Sequence, residues 1–249
     1  MKKYFIYPIS LLSVLILSSC GPKIYIPDDT PDLKVQESFL NSNIDSFRAS
    51  DGFINKGLIN IAWNEDNVLF KENNTLSLQI TDNPNNYGGT PYYGGEYHSN
   101  DLYSYGDYAI SLKAVDESGI RSSFFTYIGN DDNQAKEGIE ILFNGNDTTS
   151  VTFNYSIKGN GEHKYNYNLG FDSSKEYHTY GFRWNEDNII YFVDLKPVYI
   201  VDKSPTSEAR IYMNYYCENN ATVGWIERPS ETASTKTLDI KWVSYLKLN

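Results

Sequence analysis

The stretch DYAISLKAV, Asp107–Val115, alternates apolar and polar side chains along its length. Successive side chains of an extended chain point to opposite faces, so a period of two marks a strand with one buried face. The apolar face would carry Tyr108, Ile110, Leu112 and Ala114. Ser111 and Lys113 would lie on the other face. This stretch predicts a β-strand at the centre of the fold.

Other segments give the same indication, and none shows a sustained apolar pattern at helical spacing. VTFNYSI, Val151–Ile157, alternates in the same way, and Trp242–Leu248 predicts a final strand. NIIYFVDLKPVYIV, Asn188–Val201, predicts two strands with a turn at Asp194–Pro197, because proline fixes its φ and lacks a donor. Loops rich in Asn, Asp and Gly separate the strands. Together these patterns predict an all-β fold, a sandwich or jelly roll.

The N-terminus has the pattern of a targeting segment. Lys2 and Lys3 precede a short apolar run, Leu11–Leu17, which is too short for a membrane span and typical of a signal peptide. Cys20 follows small residues, as in the processing box of bacterial lipoproteins. We therefore expect residues 1–19 to be a lipoprotein signal peptide and Cys20 to be the lipidated N-terminus of an extracytoplasmic, membrane-anchored protein. Ordinary cleavage beside an incidental cysteine is the alternative.

Residues 20–35 carry Pro22, Pro27 and Pro31 and are predicted to be a flexible tether. Residues 36–249 are predicted to form one domain, a length that suits a single all-β core. Apart from Cys20, the one remaining cysteine is Cys217, so no intramolecular disulfide is available to the domain. Its stability must come from the packed core.

The charge balance restricts the partner. The chain has 21 basic and 32 acidic residues and a net charge of −11; loss of Lys2 and Lys3 leaves 19 basic residues and −13. An excess of acid argues against nucleic acid, and it offers no attraction to anionic lipid. We expect a neutral partner, no nucleic acid, membrane contact through the lipid at Cys20, and a monomer.

A resemblance to a known family covers most of the predicted domain. Gly95–Gly129 is similar to the bacterial lichenases, the β-1,3-1,4-glucanases of glycoside hydrolase family 16. Supporting stretches, in the same order as in the family, are Ile59–Phe70, Phe143–Tyr155, Leu169–Trp184 and Met213–Asn214. The resemblance implies a concanavalin-like β-jelly roll whose two curved antiparallel sheets form a concave cleft for a β-glucan.

The resemblance also implies a retaining mechanism, with two glutamates in a Glu-x-Asp-x-Glu pattern on one strand. Here the aligned stretch runs from Lys136 to Gly145, and both flanks fit without a gap. It places Gly138 at the nucleophile, Glu140 at the helper aspartate and Leu142 at the general acid/base. Glycine has no side chain to attack an anomeric carbon, and leucine cannot move a proton. Glu140 is thus the one retained carboxylate of the motif.

One alternative is a substitute pair, Glu137 and Glu140, which would give an active or weakly active endo-β-glucanase. They are three residues apart, so they face opposite sides of a regular strand unless a β-bulge lies between them.

The remaining binding candidates are polar or aromatic residues suited to sugar hydroxyls and sugar rings. They are Glu96, His98, Phe125, Tyr127, Asn154, Asn214, Tyr216 and Trp225. The family tryptophan two residues before the nucleophile corresponds to Lys136. The position that resembles a structural calcium ligand is Lys241, whose ammonium cannot bind a cation, so no cofactor or metal is assigned.

These observations favour a tethered binder of β-glucan or a related polysaccharide that does not hydrolyse it. A glycosidase that uses Glu137 and Glu140 is the second hypothesis. The third is a surface scaffold without a glycan ligand, because a fold does not fix a function.

Overall fold

A computed structural model describes residues 25–35, 46–55, 61–129, 136–161, 163–217 and 236–248. In this part of the chain, short 3₁₀ turns occur at Glu65–Asn67 and Tyr87–Gly89, and all other regular structure is strand. The strands are β1 (Phe47–Ala49), β2 (Ile54–Asn55), β3 (Ile61–Trp63), β4 (Val68–Phe70), β5 (Leu76–Gln79), β6 (Thr81–Asp82), β7 (Tyr92–Ser99), β8 (Gly106–Lys113), β9 (Ile120–Ile128), β10 (Glu137–Asn144), β11 (Asp147–Ser156), β12 (Tyr165–Asn168), β13 (His178–Trp184), β14 (Ile189–Val193), β15 (Lys196–Val201), β16 (Arg210–Cys217) and β17 (Thr237–Lys247).

The strands form two sheets that pack face to face. The ten-stranded sheet has the order β12-β11-β10-β9-β16-β7-β3-β2, with β1 and β6 also paired to β7. The seven-stranded sheet has the order β15-β14-β13-β8-β17-β5-β4. Neighbours in sequence are often not neighbours in a sheet, since β8 lies between β13 and β17 while β7 and β9 flank β16. This antiparallel sandwich with long crossovers confirms the predicted all-β jelly roll.

The predicted strands occur where the alternation placed them. Asp107–Val115 corresponds to β8, and its four apolar residues lie in the core between the sheets. Across the sandwich, the Phe124 ring of β9 lies 5.8 Å from that of Phe182 of β13, which stacks on Tyr108 at 4.9 Å. Such contacts between bulky rings of opposite sheets are the main source of stability, because they remove large apolar areas from water.

The hairpin predicted within Asn188–Val201 forms β14 and β15, but its turn is shorter than predicted. Asp194 and Leu195 have φ of 48° and 65°, the positive values of a two-residue turn that matches the twist of paired strands. Pro197 therefore lies inside β15 and not in the turn. This strand is at the sheet edge, where a missing N–H donor is tolerated.

The prediction of a flexible tether over residues 20–35 is wrong for its last residues. Leu33 is 6% exposed and packs on the outer face of the seven-stranded sheet against Ala109, Ile190 and Phe192. The backbone N–H of Lys34 donates to Asp107 Oδ2 at 2.9 Å. The sequence gave no sign of this docking, because only Leu33 and Val35 carry it and two apolar residues form no local pattern.

A buried ion pair lies beneath the docked segment. Arg183 Nε and Nη2 donate to Asp107 Oδ1 and Oδ2, each at 2.6 Å, and Nη2 also donates to the carbonyl of Asp32 at 3.0 Å. The side chains of Asp107 and Arg183 are 0% and 7% exposed. Two charges removed from water in this way depend on each other, because each would be costly to bury alone. The pair fixes both β8–β13 and the N-terminal segment.

Within the described residues, no helix has the length and apolarity needed to cross a membrane. Residues 1–24, which include the predicted signal peptide and Cys20, lie outside the described part of the chain.

We predict that Arg183→Met lowers the free energy of unfolding by about 3 to 5 kcal/mol, because Asp107 is left as a buried charge without its partner. Guanidinium unfolding monitored by circular dichroism would measure this. The control is Lys71→Met, which removes the ammonium that meets Asp239 at 3.0 Å on the surface and should cost about 1 kcal/mol or less. Equal losses in the two variants would contradict the assigned role of the buried pair.

Candidate functional site

The candidate site lies on the face of the ten-stranded sheet that points away from the core, here called the cleft face. It is built from alternate residues of five strands, β1, β7, β16, β9 and β10, with β11 beside them. In register, Asn154, Glu140, Phe125, Tyr212, His98 and Arg48 form one row across these strands. A second row, one step along, contains Thr152, Leu142, Ser123, Asn214 and Glu96.

Strand β10 presents the stretch aligned with the predicted motif to the cleft face. Its residues Ile139, Ile141 and Phe143 are buried in the core, so the alternate residues point outward. Those outward positions are Gly138, Glu140 and Leu142. The pairing of β10 with β9 is continuous from Glu137 to Asn144, and with β11 from Gly138 to Leu142. The three motif positions therefore share one face, as the sequence predicted.

The substitute pair of Glu137 and Glu140 does not form. No register shift occurs between them, so Glu137 points to the opposite side of the sheet and is 1% exposed. Its Oε2 accepts the backbone N–H groups of Thr206 and Ser207, each at 2.9 Å. Burial by itself would raise the pKa of Glu137, but these hydrogen bonds outweigh it and lower the pKa. Glu137 is an ionised anchor for the loop before β16, so the hypothesis of a Glu137–Glu140 catalytic pair is wrong.

Gly138 lies where the neighbouring strand comes very close. A Cβ added to Gly138 would overlap the backbone carbonyl oxygen of Thr126 on β9, at a separation that real Cβ atoms essentially never show. Ordinary β-sheet positions leave room for a side chain on either face. The position is thus occupied by β9 backbone, and a side chain could enter only if β9 and β10 moved apart.

Glu140, the retained carboxylate, is half-buried and held by two hydrogen bonds. Ser123 Oγ donates to Oε1 at 3.0 Å, and Asn154 Nδ2 donates to Oε2 at 3.2 Å. These donors come from the two strands that flank β10, so they fix the carboxylate in the plane of the row. The arrangement suits a group that accepts hydrogen bonds from a ligand.

Glu96 on β7 is a second carboxyl group on the cleft face, and it is 6% exposed. Ser50 Oγ donates to Oε1 at 2.7 Å, and Asn214 Nδ2 approaches Oε2 at 3.4 Å. Burial raises the pKa of Glu96 from 4.5 to about 7, although both hydrogen bonds act in the opposite direction. Near neutral pH this group is therefore divided between its acid and its carboxylate, and it can donate or accept a hydrogen bond.

A stacked row of rings lies between the two carboxyl groups. The Tyr212 ring stacks on Phe125 at 5.0 Å and 12° and on His98 at 5.2 Å and 28°. Arg48 Nε lies 3.3 Å from His98 Nε2, and since an arginine nitrogen can only donate, Nε2 accepts. The proton of the neutral ring is then on Nδ1, which donates to the Ser99 carbonyl at 2.9 Å. Burial lowers the pKa of His98, and the charges of Arg48 and Arg210 lower it further, while the hydrogen bond to the Ser99 carbonyl acts in the opposite direction.

Of the other three predicted binding residues, one lies on the cleft face, one is largely buried and one is outside the described residues. Tyr127 lies on the cleft face beside Gly138, half-buried. Tyr216 is 8% exposed, and its ring meets that of Trp63 edge to face at 6.4 Å. Little of the Tyr216 ring is therefore open to stack on a sugar. Trp225 lies outside the described residues.

Two amide oxygens on the cleft face lack partners. Asn154 Oδ1 and Asn214 Oδ1 are buried, and neither has a hydrogen-bond partner among the described residues. Their Nδ2 groups are already committed to Glu140 and Glu96. Buried acceptors are costly without a donor, and a ligand hydroxyl could reach these two oxygens only if their side chains rotated toward the cleft.

Lys241 occupies the position that resembles a calcium ligand, and its ammonium lies 4.1 Å from the centre of the Tyr177 ring. This is a cation–π contact, so a positive charge already stands there. Among the described residues, no three His, Cys, Asp or Glu side chains are grouped so that they could hold a metal ion.

Sequence reasoning missed Tyr212, Ser123, Arg48 and Ser50. Tyr212 and Ser123 could have been found, because each stands two residues from a predicted site residue on the same strand, Asn214 and Phe125 respectively. Arg48 and Ser50 could not, since β1 pairs with β7 across 50 residues of chain and nothing local indicates this.

The fold is a two-sheet β-jelly roll that presents carboxyl groups, amides and aromatic rings on one sheet face. The chain belongs to glycosyl hydrolases family 16, whose family model matches residues 55–244.

Relatives with high identity are beta-glucanases. The beta-glucanase of Acetivibrio thermocellus is 36% identical over 208 residues, which cover 83% of this chain and 60% of that protein, so the chain spans about three fifths of its length. The beta-glucanase of Bacillus licheniformis is 34% identical over 217 residues, 85% of each chain.

Solved structures agree with the sequence relatives. The Bacillus licheniformis beta-glucanase superposes with a TM-score of 0.76 at 32% identity, covering 85% of this chain and 97% of that one. A prokaryotic β-1,3-1,4-glucanase (lichenase) from a mouse hindgut metagenome has a TM-score of 0.76 at 34% identity, covering 85% and 98%. These comparisons confirm the family-16 jelly roll expected from the sequence.

We predict that Gly138→Ala destabilises the fold by about 1 to 3 kcal/mol, because even a methyl group must displace the Thr126 carbonyl. Thermal unfolding would measure this. The matched control is Gly161→Ala, where an added Cβ meets only the Ser156 side chain at an ordinary 3.7 Å and should leave the melting temperature nearly unchanged. A stable Gly138→Ala protein would refute the close approach of the strands.

We predict a pH-dependent gain in stability for Glu96→Gln. The folded pKa, about 7, exceeds the ordinary 4.5, so the stability contributed by the protonated form is complete below pH 4.5 and is lost as the pH rises through 7. Glutamine cannot ionise. The Asn214 side chain can rotate so that its Oδ1 accepts a hydrogen bond from the glutamine amide. The variant should gain up to about 3 kcal/mol at pH 8 and little at pH 4.5, by denaturant unfolding. The same difference at both pH values would contradict the assignment.

Proposed function

We propose that this protein is a surface-tethered member of family 16 that binds β-glucan or a related polysaccharide in its cleft and does not hydrolyse it. The observation that carries the proposal is the outward row of β10, where Gly138 and Leu142 flank Glu140 on the cleft face. A binding role requires the cleft face alone, whereas hydrolysis also requires a pair of carboxyl groups.

Retaining hydrolysis needs two carboxyl groups about 5 to 5.5 Å apart, and inversion needs about 6.5 to 9.5 Å. The register partners of Gly138–Leu142 on β9 and β11 include no acidic residue. The other carboxyl group of the cleft face, Glu96, is three strands away from Glu140, roughly 14 Å between Cα atoms at the usual strand spacing. Both groups are also held by hydrogen bonds from protein side chains. This geometry supports recognition better than bond cleavage.

Recognition of a sugar chain is supported by the chemistry of the same face. Asn154 Oδ1 and Asn214 Oδ1 have no partner among the described residues, and a small rotation of each side chain would let them accept hydrogen bonds from sugar hydroxyls. Leu142, half-buried between Ser123 and Thr152, provides an apolar surface for the C–H face of a pyranose at the point where a catalytic acid would otherwise stand. Beta-glucanases are the relatives of highest similarity reported above, which suggests a β-glucan as the ligand class.

The anchor completes the proposal. Cys20, as the lipidated residue, would be 13 residues before Leu33, which is docked on the seven-stranded sheet. A chain of that length spans at most about 45 Å, so the domain would stay close to the membrane. The cleft lies on the opposite sheet of the sandwich and would face away from the attachment point.

We predict that the soluble domain, without residues 1–20, is retarded in native gels that contain barley β-glucan or lichenan but releases no reducing sugar from either. The double variant Asn154→Ala/Asn214→Ala should lose about tenfold or more in affinity, because two acceptors for sugar hydroxyls are removed. Leu142→Glu should remain inactive, since position 138 offers no partner carboxylate.

The beta-glucanase of Bacillus licheniformis serves as the positive control for hydrolysis in the same assay. Release of reducing sugar by the wild-type domain would overturn the binding-only assignment. Absence of retardation by any glucan would favour a surface scaffold without a glycan ligand.

A further inference from the structure

Two arginines on the cleft face, Arg48 and Arg210, have side chains that meet neutral partners. Arg48 of β1 bonds to the neutral ring of His98, and Arg210 Nε bonds to the Asn100 carbonyl at 3.3 Å. Neither guanidinium forms an ion pair with any described carboxylate, although other basic side chains such as Arg183, Lys71 and Lys236 do. In a chain with a net charge of −11, two arginines on one surface with no acidic partner in the described part of the chain are unexpected.

The two arginines act on the same place. Arg48 stands directly across from His98, whose other register neighbour is Tyr212. Arg210 lies two residues before Tyr212 on β16, so both side chains are on the cleft face. Both positive charges lower the pKa of His98 and counteract the raised pKa of Tyr212, so their fields overlap above this ring pair. Each guanidinium keeps its two terminal nitrogens free of described partners.

The carboxyl groups nearby form no ion pair with these arginines, although burial and then the charge of Glu96 raise the pKa of Tyr212 against them. Glu96, one outward step from His98 on β7, is buried and directed to Ser50 and Asn214. Glu140 is two strands away from Tyr212 and is directed to Ser123 and Asn154. Planar guanidinium groups bind carboxylates and sulfates through paired N–H donors, and they are suited to a fixed anionic group on a ligand.

We infer that the polysaccharide bound in the cleft is acidic, and that Arg48 and Arg210 together bind a carboxylate or sulfate-ester group on the sugar unit that lies over His98 and Tyr212. This inference rests on the proposed glycan-binding function and narrows its ligand class. It also revises the expectation of a neutral partner, which came from the total charge and not from the charge within the cleft.

The test compares one polysaccharide in three forms. These are unmodified barley β-glucan, the same polymer partly oxidised to carboxylate at C6, and the same polymer partly sulfated. Dissociation constants are measured by isothermal titration calorimetry with the soluble domain in 50 mM and 500 mM salt. One of the acidic forms should bind about tenfold tighter than the neutral polymer in low salt, and the advantage should shrink in high salt as the charges are screened. The form with the larger advantage identifies the group as carboxylate or sulfate.

Arg48→Gln and Arg210→Gln should each lower the ratio of acidic to neutral affinity about threefold, and the double variant should bring it close to one. Circular dichroism of each variant checks that it is folded. The control Lys247→Gln removes one exposed positive charge from the opposite sheet and should change none of the constants.

The inference is overturned if the neutral polymer binds as tightly as both acidic forms, or if the arginine variants weaken neutral and acidic binding alike. Failure of the proposed function is a different result, in which none of the three polymers binds or any of them is cleaved.

Discussion

The alternation of side chains along β10 determines which of its residues enter the core and which face the cleft. Ile139, Ile141 and Phe143 must enter the core, because the sandwich is held together by apolar contacts between its sheets. Once these three are fixed, the positions between them can only face the cleft. Two of them have no group that can attack, protonate or activate water, and a slip of one residue would expose the whole apolar row. Core packing and site chemistry are thus set by the same register.

Much of this could be predicted from the sequence, because alternation is a local signal. Strands such as β8 and β14 and the shared face of Gly138, Glu140 and Leu142 follow from a period of two. The rest depends on contacts between distant segments. The docking of Leu33, the pairing of β1 with β7, and the carbonyl of Thr126 that fills the space at Gly138 leave no local pattern. The turn before β15 was misplaced because Pro197 was assigned to it.

The cleft face and the buried pair of the opposite sheet use charge in different ways. Asp107 and Arg183 satisfy each other completely, and together they hold the N-terminal segment in place. On the cleft face, by contrast, Glu140 and Glu96 keep partial hydrogen bonds, two amide oxygens have none, and Arg48 and Arg210 have no acidic partners among the described residues. These polar groups have hydrogen-bonding capacity that a polar ligand could use. The family supplies the jelly roll, and we propose that glycine and leucine occupy its catalytic positions in this chain.

The most direct test of binding without hydrolysis follows protein and sugar in one sample. In a nuclear magnetic resonance titration of the ¹⁵N-labelled soluble domain with a mixed-linkage β-glucan oligosaccharide, the side-chain amide signals of Asn154 and Asn214 report on the cleft, while the anomeric signals report on the length of the sugar. If the protein binds without hydrolysis, both amide signals shift as sugar is added and the oligosaccharide remains intact after prolonged incubation. New reducing-end signals, or amide signals that do not move at saturating sugar, would contradict it.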